Sequence, residues 1–281
     1  MPILFGDFAL AQSMVINMYA NTILSGEQFH LKISTGDIGK YVFLTGDPDR
    51  VKVIAGYLEE PVLVAKNREY TIYNAILKGT RVTVASTGIG GPSAAIAVEE
   101  LANCGAHTFI RIGTSGGIDI KVCGGDLVIA QSAIRNDGTS NEYIPMGFPA
   151  VADFYVTRAL TESAAEMSQD LDGARFHVGT VQSKDSFYGE TNPERMPIVS
   201  DLLNRWDSFI KCGVLCSEME CAAIYAVGTS RGLRAGAVLT AIWNVERPKM
   251  GLENPINKDT TRGILCAINA MGKLIAGEMK G

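Results

Sequence analysis

Three apolar, β-rich runs of this chain each lead into a glycine-containing turn, and this repeated pattern constrains the fold more than any other feature. The blocks at these turns read GDPDR (46–50), STGIGGPS (86–93) and FIRIGTSGG (109–117). Glycine allows main-chain N–H groups to approach a ligand closely. Arg50 and Arg111 add planar, permanently charged guanidinium groups beside these glycines. The pattern therefore predicts a pocket for an anion of the phosphate type.

Strand-like and helix-like segments alternate from Tyr41 to the end of the chain. Strands are predicted at 41–45, at 70–87 (a hairpin that turns at 78–80), and at 107–113, 126–134, 176–183 and 235–244. Helices are predicted from Pro92 to about Gly105, over 153–169, from Glu218 to Arg231, and over about 260–279. Such alternation with short connections predicts one α/β domain with a largely internal sheet. Residues 1–28 lie outside the pattern, so we expect an N-terminal extension followed by a domain over 29–281.

Charge and cysteine content narrow the class of protein. A net charge of −5 argues against a nucleic-acid surface, which needs clustered Lys and Arg, and favours a small anionic ligand. The six cysteines include no CxxC pair and the chain has only three histidines, so we expect reduced thiols rather than a zinc site.

The apolar N-terminus does not match a secretory signal peptide. No Lys or Arg precedes Lys32, and Asp7 interrupts the apolar run. No stretch approaches the uninterrupted apolar length that a membrane span requires. The sequence therefore predicts a cytoplasmic protein without a membrane partner.

Two of the glycine motifs admit other interpretations, which the surrounding residues disfavour. STGIGGPS suggests dinucleotide binding, but the full G-x-G-x-x-G pattern is missing and the next strand ends at Arg111 instead of an acidic residue. The residues 113–117 match the G-x-S-x-G nucleophile elbow of hydrolases. They are followed by strand and turn instead of a helix, and only His177 lies downstream as a base.

The charged residues near these motifs have structural explanations as well as functional ones. Arg111 lies in an apolar strand, where its charge needs either a buried acidic partner or a bound anion; the adjacent glycine and threonine favour the anion. Arg50 is explained equally well as a cap of the following helix. Glu218 and Glu220 lie at the start of a predicted helix. One of them can complement the helix dipole, and the other can accept hydrogen bonds from a vicinal diol such as ribose. His30 and Arg68, taken alone, are typical structural residues.

Taken together, these motifs resemble the nucleoside phosphorylases of the phosphorylase-I family, and within it the branch that cleaves uridine. The resemblance runs from about Phe29 to the C-terminus. It rests on FHL (29–31), GDPDR, NREY (67–70), STGIGGPS, RIGTSG (111–116), FPAVADF (148–154), SKDSFY (183–188), EME (218–220) and GLRAG (232–236). The resemblance implies a single α/β domain with a central barrel-like mixed β-sheet flanked by helices. It also implies reversible phosphorolysis, in which uridine and phosphate give uracil and ribose 1-phosphate.

The resemblance assigns site residues position by position. It implies a phosphate site of Gly46, Arg50, Arg111 and Thr114, with Arg68 entering from a neighbouring subunit. Ribose would lie against Thr114, Met219 and Glu220, with His30 of the neighbour reaching its 5′-hydroxyl. The catalytic residues would be Arg50, Arg111 and Glu220. Phe187 would pack on the sugar and base, and Gly116 and Ile242 would line the base pocket.

The resemblance also implies an assembly and an ion. Family members form dimers or hexamers built as trimers of dimers, so a homo-oligomer is needed if His30 and Arg68 act in a neighbouring site. Glu69, Ile89 and Ser93 match positions that hold a monovalent cation such as potassium between subunits in some relatives. No organic cofactor is implied, and inorganic phosphate is the co-substrate.

Base recognition is where this chain departs from the family pattern. Purine-cleaving relatives usually carry an aspartate after the last strand, where this chain has Asn244, which favours a pyrimidine. Uridine-cleaving relatives usually carry Gln-x-Arg after the SFY segment, where this chain has Glu190 and, at a longer spacing, Arg195. A carboxylate accepts from uracil N3–H but cannot donate to O4. Our hypothesis is that Lys184 is the missing donor, with Arg195 second; the alternative is that Lys184 is a solvated surface lysine.

Three other functions remain open from the sequence. The first is a purine or broad-specificity nucleoside phosphorylase. The second is a hydrolytic nucleosidase of the same superfamily, which would leave the phosphate arginines without a role. The third is a nucleoside-binding or sensing protein that keeps the pocket without turnover.

Overall fold

The computed structural model of this chain describes residues 26–170 and 175–278. Most of the expected N-terminal extension, residues 1–25, lies outside the described residues. At its end, Glu27 forms an isolated antiparallel β-bridge with Ser34.

The described strands form one mixed sheet that closes on itself. They are β1 (Tyr41–Thr45), β2 (Glu59–Asn67), β3 (Tyr70–Leu77), β4 (Thr80–Ser86), β5 (Thr108–Gly117), β6 (Leu127–Asn136), β7 (Ala150–Val151), β8 (Phe176–Lys184), β9 (Cys216–Glu218) and β10 (Arg234–Asn244). The order is β10-β6-β8-β9-β5-β1-β4-β3-β2, with β7 paired to β6, and β5 also pairs with β10. Strands β5, β10, β6, β8 and β9 therefore form a closed ring, which confirms the barrel-like sheet that the resemblance implies.

Helices flank this sheet. Those in the described ranges are α1 (Pro48–Ala55), α2 (Gly91–Asn103), α3 (Thr139–Tyr143), α4 (Phe154–Asp170), α5 (Phe187–Thr191), α6 (Val199–Lys211), α7 (Cys221–Arg231) and α8 (Thr261–Glu278), with 3₁₀ turns at Pro193–Arg195 and Pro248–Met250. None of the helices in these ranges has both the length and the apolarity needed to cross a membrane.

The predicted hairpin at 70–87 is confirmed as β3 and β4. Lys78 and Gly79 join the two strands with φ angles of 50° and 75°. Two successive positive φ angles are typical of the tight turn whose twist suits a two-residue hairpin. The strand predicted at 41–45 is also confirmed. Parallel strands β4 and β5 pair with both of its edges, and its side chains pack alternately into apolar clusters on the two faces of the sheet, so it is buried along its whole length.

The helix predicted from Glu218 begins three residues later, at Cys221, and this part of the prediction is wrong. Ser217 pairs with Gly116 across the β5–β9 ladder, which holds residues 216–218 in an extended strand. The Glu218 carboxylate accepts from the backbone N–H groups of Glu220 at 2.8 Å and Cys221 at 3.0 Å. Glu218 thus satisfies free donors at the start of α7 from a position just outside the helix.

Two apolar clusters cover the two faces of the sheet. One includes Ala94 to Leu101 of α2 and Ala222 to Val227 of α7. The other includes Val51 of α1, Leu160 of α4 and Ile264 of α8. Because helices cover both faces, polar groups can meet a ligand only where the strands end.

Candidate active site

A cavity of about 860 Å³ lies at the carboxyl ends of β1, β4, β5 and β10. These strands run parallel along the sheet, so their carboxyl ends share one edge. The predicted site residues that line this cavity are Gly46, Arg50, Glu69, Ile89, Ser93, Arg111, Thr114, Gly116, Lys184, Phe187, Glu190, Met219, Glu220 and Ile242. Residues more than 190 positions apart in the chain thus come together in one site.

Arg111 is buried and forms ion pairs inside the cavity wall. Its Nε donates to Oε2 of Glu218 at 3.2 Å, and its Nη2 donates to Glu220. Burial would lower the pKa of this guanidinium, but the carboxylates of Glu220 and Glu218 outweigh that effect and raise it. Of the two partners expected for this charge, a buried acidic residue and a bound anion, the acidic residue is present. The third nitrogen, Nη1, is buried and has no hydrogen-bond partner among the described residues.

Gly113 makes the space that the Arg111 guanidinium occupies. The two residues lie two positions apart in β5 and therefore on the same face of the strand. A Cβ atom at position 113 would lie 3.0 Å from Cζ and Nη2 of Arg111, and 2.7 Å from Cδ2 of Leu239. Glycine at position 113 therefore leaves room for the Arg111 side chain, in addition to letting a ligand approach the backbone.

Arg50 lies in the first turn of α1, whose N-terminus borders the cavity. The Asp47 carboxylate accepts from the backbone N–H of Asp49 at 2.9 Å, so Asp47 is the helix cap and Arg50 is not. Burial lowers the pKa of the Arg50 guanidinium; Asp47 opposes this effect, and the positive charge of Arg111 adds to it. Two neighbouring arginines and a helix N-terminus favour an anion at this end of the cavity.

Glu218 and Glu220 differ in their contacts, and Glu218 is the one that lies at the helix start. The Glu218 side chain is fully buried and accepts from Ser183, Arg111 and the first N–H groups of α7. Glu220 reaches Arg111 with one oxygen and accepts from the backbone N–H of Gly90 with the other, at 2.7 Å. Burial raises the pKa of the Glu220 carboxyl; Arg111 opposes this and Glu218 adds to it, and the net effect is upward.

Lys184 is buried in a polar cluster at the other end of the cavity, so the solvated-lysine alternative is wrong. Its Nζ lies 2.9 Å from Oε1 of Glu190 and donates to Oγ of Ser217 at 2.6 Å. The Ser217 hydroxyl lies 2.8 Å from Oε2 of Glu190 and 2.5 Å from Oε1 of Gln182. Lys184 Nζ is also 5.8 Å from the centre of the Phe187 ring. This end of the cavity therefore presents a cation, a carboxylate and an aromatic ring.

Three predicted residues do not line this cavity. His30 donates or accepts at Nδ1 with Oε1 of Glu100 at 2.6 Å, and the backbone N–H of His30 also donates to Glu100. Arg68 is exposed in the turn between β2 and β3, with a φ of 54°. Arg195 ends the first 3₁₀ turn.

Asn244 is fully buried and its amide is used to hold two loops. Its Nδ2 donates to the carbonyl oxygens of Asp119 and Val122, and its Oδ1 accepts from the N–H groups of Glu246 and Arg247. The strand end that carries an acid in purine-cleaving relatives thus contributes no acid to this cavity.

Sequence reasoning missed several lining residues, above all Trp243, Ser217 and Asp47. The tryptophan near the end of the last strand, in IWN, is a usable signal, because aromatic side chains supply much of the contact area in cores and binding sites. Ser217 carried no local signal, since its role depends on side chains from other strands.

The residues expected to hold a cation lie together beside Gly88. A Cβ at Gly88 would lie 2.8 Å from Cγ of Glu69 and 3.1 Å from Oγ of Ser93, and Ser93 donates to the Ile89 carbonyl at 3.2 Å. Within the described ranges, no group of three or more His, Cys, Asp or Glu side chains is arranged to bind a metal. All six cysteines are free thiols.

Comparison with known proteins gives one family. The family model for the phosphorylase superfamily matches residues 40–253. The chain is similar to a uridine phosphorylase of Treponema pallidum, with 47% identity over 89% of this chain and 95% of the relative. It is 42% identical to a uridine phosphorylase of Thermococcus kodakarensis, over 78% of each chain. It is also 39% identical to a guanosine phosphorylase of Halorubrum lacusprofundi, over 78% of this chain and 84% of the relative.

Proposed function

Since this chain belongs to the phosphorylase superfamily, we propose that it catalyses the reversible phosphorolysis of uridine to uracil and ribose 1-phosphate. It is then a pentosyltransferase, with inorganic phosphate as co-substrate. One observation carries the proposal: a two-arginine anion site and the Lys184–Glu190 pair line one cavity.

The phosphate binds at the end of the cavity formed by Gly46, Arg50, Arg111 and Thr114. The buried Nη1 of Arg111 supports this assignment, since it is a charged donor with no partner among the described residues. Placing a dianion here also relieves the repulsion between the two guanidinium groups.

The ribose lies in the middle of the cavity, against Thr114, Met219 and Glu220. Each oxygen of an ionised carboxylate can accept more than one hydrogen bond. Glu220 can therefore hold Arg111 and Gly90 and still accept from the sugar hydroxyls. Its fixed carboxylate also favours positive charge on the ribosyl group.

The base lies among Phe187, Gly116 and Ile242, with its polar edge toward Lys184 and Glu190. Lys184 donates to a uracil carbonyl, and Glu190 accepts from N3–H. Lys184 fills the donor role in preference to Arg195, because Lys184 lines the cavity and Arg195 does not. Cytosine presents the opposite polarity at these two positions, which disfavours cytidine.

In the reaction, a phosphate oxygen attacks C1′ as the bond from C1′ to N1 of the base breaks. The electron pair of that bond leaves with uracil, whose negative charge spreads onto its carbonyl oxygens. Arg50 and Arg111 hold the nucleophile in line, and Lys184 stabilises the charge on the base. No covalent enzyme intermediate is needed.

The active unit is a homo-oligomer, a dimer or a hexamer, in which His30 and Arg68 complete the site of a neighbouring subunit. Their positions outside this chain's own cavity support that arrangement. The contact with Glu100 fixes the His30 ring through Nδ1, so that Nε2 can meet the 5′-hydroxyl.

Glu69, Ile89 and Ser93 offer carboxylate, carbonyl and hydroxyl oxygens beside Gly88, and this donor set suits a hard monovalent cation such as potassium. A cation bound there would join subunits and would take no part in bond breaking.

The reaction takes place in the cytoplasm, where thiols remain reduced; the six free cysteines support this location. Similarity to the guanosine phosphorylase of Halorubrum lacusprofundi supports a second candidate activity, the phosphorolysis of purine nucleosides. The absence of an acid at Asn244 argues against it.

The test is release of free base from uridine, thymidine, cytidine, inosine and guanosine, with and without phosphate, followed by ultraviolet absorbance. We expect phosphate-dependent release of uracil. Release without phosphate would identify a nucleosidase, and preferential cleavage of guanosine or inosine would support the purine candidate. Binding of uridine without turnover would identify a sensing protein.

A further inference from the structure

Trp243 is a large aromatic side chain in the cavity that the assignments above leave unused. It is 40% exposed, although eight of the eleven residues of its strand are buried. It lines the main cavity and also borders an adjoining cavity of about 390 Å³ that shares Lys184 and Glu190. The indole N–H makes no hydrogen bond within the described ranges. The ring therefore presents open aromatic surface to the cavity, on which a flat ligand can pack.

A β-bulge directs Trp243 into the cavity. In the parallel ladder, Ala241 pairs with Ser115 and Trp243 pairs with Gly116, so that Ile242 has no partner of its own. In a regular strand, consecutive side chains point to opposite faces. The extra residue breaks this alternation, and both Ile242 and Trp243 line the same cavity.

The indole of Trp243 lies beside Lys184, Glu190 and Ser217, the polar cluster assigned above to the hydrogen-bonding edge of the base. Its Nε1 is 3.7 Å from the position that a Cβ of Gly116 would take. Gly116 also pairs with Ser217 on its other side, and Ser217 contacts both Lys184 and Glu190. A side chain at position 116 would fill the space over which the indole extends. The aromatic surface and the polar pair therefore flank the same short stretch of β5.

We propose that Trp243 packs its ring on the face of the nucleobase and is a base-binding residue of this site. This inference rests on the proposed function, because it takes the ligand to be a nucleoside. The polar pair and the indole contribute different kinds of contact. The Lys184–Glu190 pair selects the base by its hydrogen-bonding edge, whereas the indole supplies contact area to any flat ring.

Fluorescence can test this contact without changing position 243. The chain has two tryptophans, so the Trp206→Phe protein reports on Trp243 alone. Trp206 donates to Glu246 at 2.6 Å and does not line the main cavity. We expect uracil to change the fluorescence of this variant saturably, and ribose 1-phosphate, which carries no base, to change it far less. No response to saturating uracil would overturn the proposal.

Kinetics with two substitutions at the site give a second test. Trp243→Ala should raise the KM for uridine about 10- to 100-fold with little change in kcat, because a stacking contact binds ground state and transition state alike. Trp243→Phe should restore most of the affinity, since a smaller ring keeps the contact. A KM for uridine unchanged in Trp243→Ala would overturn the proposal.

The outcomes separate this inference from the proposed function. If uracil changes the fluorescence of the Trp206→Phe protein but no nucleoside is cleaved, the contact stands and the phosphorolysis assignment fails. If uridine is cleaved but uracil leaves the fluorescence unchanged, the assignment stands and the contact is wrong.

Discussion

The ammonium group of Lys184 lies 2.9 Å from a carboxylate oxygen of Glu190, and both side chains are largely buried, with exposures of 8% and 13%. Glu190 stands where the resemblance leads us to expect a glutamine, and Lys184 reaches it from six residues upstream, at the end of β8. Each group is the ion-pair partner of the other, which offsets the cost of burying either of them in the cavity wall.

Lys184→Met should raise the KM for uridine at least about tenfold, because a hydrogen bond from a charged donor to the uracil carbonyl is lost. Steady-state kinetics with uridine at saturating phosphate measures this effect. Lys249→Met is a matched control, since Lys249 is an exposed lysine paired with Glu246 outside the main cavity. An unchanged KM in Lys184→Met would remove Lys184 from the base site.

Glu190→Gln should lower the free energy of unfolding by about 1–3 kcal/mol, because it leaves the buried Lys184 ammonium without a charged partner. Chemical denaturation of Glu190→Gln, Lys184→Met and the double variant forms a double-mutant cycle. We expect the double variant to lose less stability than the sum of the single losses. Strict additivity would mean that the two groups do not interact in solution.

Glu220→Gln should lower kcat/KM about 100-fold or more, because the fixed carboxylate that faces the ribosyl group is lost. Burial raises the pKa of the Glu220 carboxyl above its ordinary value of 4.5, and the ionised form is the one that works. The pH profile of kcat/KM in the wild type should therefore include an acid-side ionisation above pH 4.5 that is missing in Glu220→Gln.

The raised pKa of the Glu220 carboxyl also determines how this group changes the free energy of unfolding with pH. A carboxyl whose pKa is raised by folding favours the folded state at low pH, and this contribution is lost as the pH rises through the raised pKa. The stability difference between wild type and Glu220→Gln should accordingly change with pH above 4.5. Glu142→Gln, at an exposed position, should show neither effect.

Gly113→Ala should raise the KM for phosphate and lower the free energy of unfolding by about 1–3 kcal/mol. The added Cβ would lie 3.0 Å from the Arg111 guanidinium and 2.7 Å from Leu239, so one or both must move. Phosphate kinetics and urea unfolding measure the two effects. Gly147→Ala is the control, because no atom lies within 4 Å of the added Cβ there.

Two inactive variants should restore activity to each other if neighbouring subunits share active sites. In a mixed dimer of Arg68→Ala and Arg111→Ala chains, one site keeps both arginines and the other has neither. Random reassembly should therefore recover about a quarter of the wild-type activity. Recovery can be measured after co-expression, with each variant alone as control. No recovery would mean that Arg68 does not act in a neighbouring site.

Local features of the sequence predicted the elements correctly where periodicity and turn chemistry agree. The apolar run at 41–45, the turn at Lys78 and Gly79, and the glycine after Arg231 each identified an element or a boundary that the structure confirms. The prediction failed at Glu218, because strand pairing between Ser217 and Gly116 displaced the start of the helix. That pairing joins residues about a hundred positions apart and leaves no local signal.

The sequence by itself determined the chemical content of the site, since glycine turns beside Arg50 and Arg111 favour an anion wherever the chain places them. Tertiary structure alone decided how those groups are used. It joined Arg111 to Glu218 and Glu220, buried Lys184 against Glu190, and turned Trp243 inward through the bulge at Ile242. Backbone preferences depend on neighbouring residues and can therefore be predicted from the sequence. Ion pairs and strand register depend on which distant segments the closed sheet brings into contact, so only the tertiary structure shows them.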